Sequence, residues 1–126
     1  MSKVRERILL VDDERLVLEL FEGLLSEAGF SIVGTSSSLE ALHFIATNTF
    51  DILISDVLLG EVDGFALLSA AREKDPSIKV VLITGFPDER DAALAEKLGA
   101  IYLQKPGAFE AILPTVKRNQ GLHAVG

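Results

Sequence analysis

Asp51-Ile52-Leu53-Ile54-Ser55-Asp56 is the stretch that decides how the rest of the chain is read. Ile52, Leu53 and Ile54 form an unbroken apolar run with no polar alternation. Such a run fits a strand covered on both faces, as in a parallel sheet with helices on each side. The run stops at Asp56, and Gly60 and Gly64 follow, so the chain turns before it becomes helical. A carboxylate at the carboxyl end of a central strand is costly to hold unless it has a partner or a task. In open α/β sheets the crevice outside those strand ends is where ligands bind.

Working outward, the same kind of run recurs. Ile8-Leu9-Leu10-Val11 is closed by Asp12-Asp13-Glu14, and Val80-Val81-Leu82-Ile83 by Thr84-Gly85. Ile101-Tyr102-Leu103 is a short last strand before Gln104-Lys105-Pro106, and Phe30-Ser31-Ile32-Val33-Gly34 is more mixed, as an edge strand would be. Between the strands the spacing is helical. Val17, Leu20, Phe21, Leu24 and Ala28 share a face and Gly29 ends that helix. Ser36, Ser37 and Ser38 offer N-caps to a second helix carrying Leu42, Ile45 and Ala46. Asp63 caps a third with Phe65, Leu68 and Ala71, over by Asp75-Pro76. A fourth, alanine-rich helix holds Leu94, Ala95 and Leu98, stops at Gly99 and has little apolar area to bury. The last carries Phe109, Ile112, Leu113 and Val116 around Pro114, which is expected to kink or to break and restart it. Five alternating β-α units imply one doubly wound parallel sheet with helices on both faces. The chain reads as one domain over 1–126, with a core of about 8–119 and a loose tail at 120–126.

Composition narrows the function classes. A formal net charge of -7 argues against direct nucleic-acid binding, which needs clustered Lys and Arg. There are no cysteines, and His43 and His123 are far apart, so zinc and disulfide chemistry are not expected. No apolar run approaches the ~20 residues of a membrane span. The charged start, Met1 to Arg7, lacks the apolar region of a signal peptide, so a cytoplasmic location is expected. No DNA-binding or enzymatic output segment is evident, so the chain reads as a stand-alone domain or one cut from a longer protein.

Parallel strands put Asp12, Asp13, Asp56, Thr84 and Lys105 on one edge of the sheet. Neighbouring strands lie ~4.8 Å apart, so three carboxylates come within reach of a shared metal ion. Such a cluster repels itself unless a cation joins it. Oxygen ligands suit Mg²⁺, which accepts one or two carboxylates plus a phosphate. Lys105 offers a mobile positive charge to an added anion, and Thr84 a hydroxyl donor. The set describes a site where one carboxylate attacks a phosphoryl group. Asp56 is the best nucleophile, lying between the acid pair and Thr84.

Each residue also has a plainer reading. Asp12 or Asp13 alone would cap the first helix, Lys105 alone would be a surface lysine, Thr84 an ordinary strand end, and Tyr102 a packing aromatic. His43 reads as helix surface, and Glu89-Arg90-Asp91 as solvated. The ordered set is what tips the balance.

That set, Val11-Asp12-Asp13-Glu14, Asp56 followed by Asp63-Gly64, Thr84-Gly85 and Lys105-Pro106, resembles the response-regulator receiver domains of two-component signalling. The resemblance runs from about Ile8 to about Val116. It implies the flavodoxin-like strand order 2-1-3-4-5 and the following roles. Asp56 would be the phosphoacceptor. Asp13 and Asp56 would bind Mg²⁺, with Asp12 helping through water and the Leu58 backbone carbonyl as a further ligand. Thr84 would bond the phosphoryl group and Lys105 would pair with it. Tyr102 would swing inward with Thr84, and the Lys105-Pro106 peptide would be cis. It implies a histidine kinase or histidine phosphotransfer protein as donor, a protein effector downstream, and a switching face of helix 4, strand 5 and helix 5. Such a domain catalyses its own aspartyl phosphorylation in a phosphorelay and is not a turnover enzyme.

Leu59-Gly60 replaces the frequent Met-Pro after the acceptor, and Gly107 stands where a Phe often follows Lys-Pro. Leu58 and Phe86 are apolar and flank the expected site, which suggests slow hydrolysis of the acyl phosphate. A haloacid-dehalogenase phosphatase would need a second Asp two residues after its nucleophile on the first strand, a spacing absent from Asp12-Asp13-Glu14. A flavin module would need a Ser-, Thr- and Gly-rich phosphate loop where this one is acidic. A receiver-like binding module that works without phosphorylation is the remaining alternative.

Overall fold

Strand and helix alternate from end to end in the computed structural model, which describes residues 5–125, and the side chains of residues 5–117. The strands are β1 (Arg7–Val11), β2 (Ser31–Thr35), β3 (Ile52–Asp56), β4 (Lys79–Thr84) and β5 (Ile101–Gln104). The helices are α1 (Arg15–Glu27), α2 (Ser38–Thr47), α3 (Gly64–Lys74), α4 (Glu89–Lys97) and α5 (Ala108–Val125). All pairings are parallel and the order is β2-β1-β3-β4-β5, so β3 lies between the strand that ends in acids and the one that ends in Thr84. The register sets Val11 opposite Ser55 and Asp56 opposite Ile83.

The period of two along each strand divides the core. Leu9, Val11, Leu53, Val80 and Leu82 face α2, α3 and α4. Ile8, Leu10, Ile52, Ile54, Val81 and Ile83 face α1 and α5. Each fully buried aliphatic side chain contributes about 1.5–3 kcal/mol, and all five residues of β3 are buried. The sheet interior is therefore a rigid frame for whatever its edge carries.

Local chemistry closes the elements, at Ser37 and Asp63 as expected and also at Asp88. The Ser37 hydroxyl accepts the Glu40 N–H at 3.1 Å, Asp63 the Ala66 N–H at 2.9 Å, and Asp88 the Arg90 N–H at 2.7 Å. Gly29 and Gly99 take φ of 99° and 71° at the ends of α1 and α4, where a side chain would be strained. Among the residues of α4 only Ala95 is buried, so that helix is thinly held.

Three readings of the helices change. The buried stripe of α1 is Leu18, Phe21 and Leu25, while Leu20 is 59% exposed. Leu67 is buried on α3 where Phe65 is only half-buried. In α5 the helix neither stops nor restarts at Pro114. Pro114 denies the Glu110 carbonyl its usual donor, but Ile112 and Val116 on either side are fully buried and hold both turns against the sheet. The backbone of α5 runs on to Val125 through the segment read as a tail, and Gly126 lies outside the described residues.

Candidate functional site at the carboxyl edge of the sheet

Strand order alone brings the acids together. Asp12 follows β1, Asp56 closes β3, and both are buried, at 2% and 7% exposure; Asp13 beside them is open to solvent. One carboxylate oxygen from each of the three lies within 4.8 Å of the others. Neither Asp12 nor Asp13 caps α1, whose first residues have no side-chain cap. Asp12 instead accepts the Glu14 N–H at 2.9 Å, a local turn that holds its carboxylate at the strand end.

Lys105 reaches into this cluster from the end of β5. Its Nζ lies 3.0 Å from Asp12 Oδ2, 3.3 Å from Glu14 Oε1 and 3.4 Å from Asp56 Oδ2. The Lys105-Pro106 peptide is cis, and the Lys105 N–H donates to the Thr84 carbonyl at 2.8 Å. Asp13, Glu14, Asp56, Leu58, Thr84, Gly85, Phe86 and Lys105 line a cleft of about 240 Å³. Thr84 is 1% exposed, and its Oγ1 accepts the Phe86 N–H at 3.0 Å. The hydroxyl hydrogen is thereby left to donate elsewhere.

Charge and burial set the protonation of the group. Burial, opposed by Lys105 and reinforced by the Asp12 charge, pushes the Asp56 carboxyl up to about 6. Asp12 is also raised, again chiefly by burial. For Lys105, burial lowers the pKa, but the pairings with Asp12, Asp56 and Glu14 outweigh it and the net shift is upward, so the ammonium stays charged. A buried carboxylate with a raised pKa, in a cleft beside a fixed cation, is the pattern expected of a reactive group.

The donor set is all oxygen, which suits Mg²⁺ or Ca²⁺. Oxygens around one Mg²⁺ stand roughly 3–4 Å apart, so a spacing within 4.8 Å needs only a small contraction to hold the ion. Leu58 also lines the cleft.

Tyr102 stands apart from the other expected residues. It is half-buried among the side chains packed against α2, α3 and α4, and its hydroxyl accepts the Asp88 N–H at 3.2 Å. Two residues of the quoted motifs make contacts that the sequence reading did not foresee. Glu14 is a partner of Lys105, though the run of three acids already placed it on the same edge. Gly64 is packed directly under Asp56: a Cβ there would stand 2.5 Å from the Asp56 carbonyl oxygen.

Residues 8–117 match the family described as the response regulator receiver domain. The chain belongs to that family. Among curated proteins, this receiver is similar to the alginate biosynthesis transcriptional regulatory protein AlgB of Pseudomonas aeruginosa, at 36% identity over 106 residues, covering 83% of this chain and 24% of that protein. It is also similar to the transcriptional regulatory protein ZraR of Escherichia coli, at 31% over 112 residues, covering 88% and 25%. The chain thus spans about a quarter of the length of these relatives. Among solved structures, a CheY-like receiver domain protein from Methanospirillum hungatei superposes with a TM-score of 0.88 at 25% identity, over 98% of this chain and 100% of that one. A response regulator from Burkholderia pseudomallei, solved with a phosphorylated aspartic acid, a calcium ion and citrate, does so at 0.78 and 25%, over 94% and 74%. Among the described residues, no helix is long and apolar enough to cross a membrane.

Proposed function

We propose that this receiver takes a phosphoryl group onto Asp56 in a Mg²⁺-dependent transfer from a histidine kinase or histidine phosphotransfer protein. The observation that carries this reading is the convergence of Asp12, Asp13 and Asp56 within 4.8 Å of one another, with the Lys105 ammonium 3.4 Å from Asp56. Asp13, Asp56 and the Leu58 carbonyl would hold the ion, with Asp12 assisting. When bound, Mg²⁺ supplies charge stabilisation to the equatorial oxygens of the phosphoryl group.

In the transfer, an Asp56 carboxylate oxygen forms the new bond to phosphorus while the bond from phosphorus to the donor's imidazole nitrogen breaks. The imidazole keeps the electron pair and leaves as a neutral group after protonation. Lys105 moves from its carboxylate partners to an incoming phosphoryl oxygen, and Thr84 donates its hydroxyl to another. The chain thereby catalyses its own modification and releases no small-molecule product.

The half-buried Tyr102, tied to Asp88 at the start of α4, follows Thr84 and biases the α4-β5-α5 face toward a protein effector. Leu58 and Phe86, 54% and 76% exposed at the cleft, hinder the water that would hydrolyse the acyl phosphate. An intracellular donor puts the domain, with a core of about 8–119, in the cytoplasm. The test is incubation with acetyl phosphate with and without Mg²⁺. Wild type gains the mass of one phosphoryl group only with the ion, and Asp56→Asn gains none; labelling of Asp56→Asn to the same extent would refute the assignment.

A further inference from the structure

The loop that follows Asp56 is held from outside the cleft. Residues 58–62 join Asp56 to α3 and carry Leu58, and their segment contains Gly60, so they have little conformational bias of their own. Among the described residues, the one hydrogen bond found for this segment is from the Val62 N–H to the Ser38 hydroxyl, at 3.2 Å. Ser38 opens α2, is 5% exposed, and lies 24 positions from its partner in sequence. Its hydroxyl is not the cap of α2, since Ser37 performs that task on Glu40.

The same turn of α2 is anchored on its other side. The Thr35 hydroxyl accepts the Ser37 N–H at 3.0 Å and donates to the Glu40 carboxylate. The Thr35 carbonyl accepts the Asp12 N–H at 3.3 Å. A chain of hydrogen bonds therefore runs from Asp12 through Thr35 to the start of α2, and from there through Ser38 to the loop that follows Asp56. The first turn of α2 bridges the two strand ends that supply the carboxylates, without contributing a ligand.

We propose that Ser38 is a positioning residue for the cation site, holding the 58–62 loop so that the Leu58 carbonyl is presented to an ion bound by Asp13 and Asp56. This rests on the reading of the cluster as a Mg²⁺ site. A loop released from Ser38 must be ordered when the ion binds, so affinity falls by about fivefold, the equivalent of one ordinary hydrogen bond.

The experiment is a calorimetric Mg²⁺ titration of wild type, Ser38→Ala and Ser37→Ala, with thermal melts of each. Ser37→Ala removes the α2 cap and lowers stability while leaving Mg²⁺ affinity within twofold of wild type. Ser38→Ala weakens affinity about fivefold, and the amide exchange of Val62 accelerates. Equal affinity in wild type and Ser38→Ala overturns the positioning role. So does an equal loss in Ser37→Ala, which would mark a general effect of α2 stability. A wild type that binds no Mg²⁺ sinks the site reading itself, a different result from either.

Discussion

Gly64 and Asp56 are packed backbone to backbone: a Cβ at Gly64 would lie 2.5 Å from the Asp56 carbonyl oxygen and 3.1 Å from the Val57 Cα. The Gly64 N–H also donates to the Val57 carbonyl at 2.9 Å. The first residue of α3 thus presses on the strand end that carries the acceptor. Gly64→Ala cannot relieve the contact by turning a side chain, because the two nearest opposing atoms are backbone. The variant should lose about 1–3 kcal/mol of stability and shift Asp56 relative to Lys105. Chemical denaturation measures the first, and slower labelling by acetyl phosphate the second.

Lys105 and a divalent ion address the same acids. Lys105→Met removes the partner lying 3.0 Å from Asp12 and 3.4 Å from Asp56. Three consequences differ in sign. Metal-free stability near neutral pH falls by about 1–3 kcal/mol, because the buried carboxylates of Asp12 and Asp56 lose their counter-charge. Mg²⁺ binds more tightly, since no competing cation remains. Phosphoryl transfer slows, because the group that would follow the phosphoryl oxygens is gone. A titration and a labelling time course on the same variant separate these effects.

The raised pKa of Asp56 makes metal-free stability depend on pH. The carboxyl titrates at about 6 in the folded chain against 3.8 for an unperturbed group. The folded state therefore holds a proton that the unfolded state releases between those values, and stability falls as pH rises through that window. The interval corresponds to on the order of 3 kcal/mol. Asp56→Asn removes this penalty. In thermal melts without divalent ions, it should be the more stable protein at about pH 7.5 and match wild type at about pH 4. Lys105, whose pKa is raised from 10.5, contributes its dependence only in strongly alkaline solution.

Leu58 is 54% exposed at the mouth of the cleft. Replacing it by Asn exchanges an apolar wall for a group that can hold a water molecule. Phosphate loss from Leu58→Asn, followed after removal of the donor, should be several-fold faster than from wild type, with the rate of labelling little changed. Equal rates of loss would leave the apolar wall without a role.

Much of this site was legible because strand ends are. Apolar runs closed by Asp12-Asp13, Asp56, Thr84 and Lys105 mark one edge of a parallel sheet, and the order β2-β1-β3-β4-β5 then forces convergence. Helix faces were less legible. The stretch Leu16 to Leu25 is apolar at so many positions that two stripes fit a helical period, and tertiary packing, including Phe21 on Phe109 with ring centroids 4.6 Å apart, selects Leu18, Phe21 and Leu25. At Pro114 the helix does not break, because the proline's cost is local while the burial of Ile112 and Val116 is tertiary. Gly64 was read as a turn residue and Ser38 as a cap candidate, but their contacts lie 8 and 24 positions away in sequence, which local pattern does not show.

The central claim is that Asp56, and neither of its acidic neighbours, forms the bond to phosphorus. Labelling with acetyl phosphate and Mg²⁺, reduction of the acyl phosphate with borohydride and peptide mass mapping read that bond directly. The account predicts homoserine at position 56, with Asp12 and Asp13 unchanged. Homoserine at position 12 or 13, or a label that survives in Asp56→Asn, would contradict it.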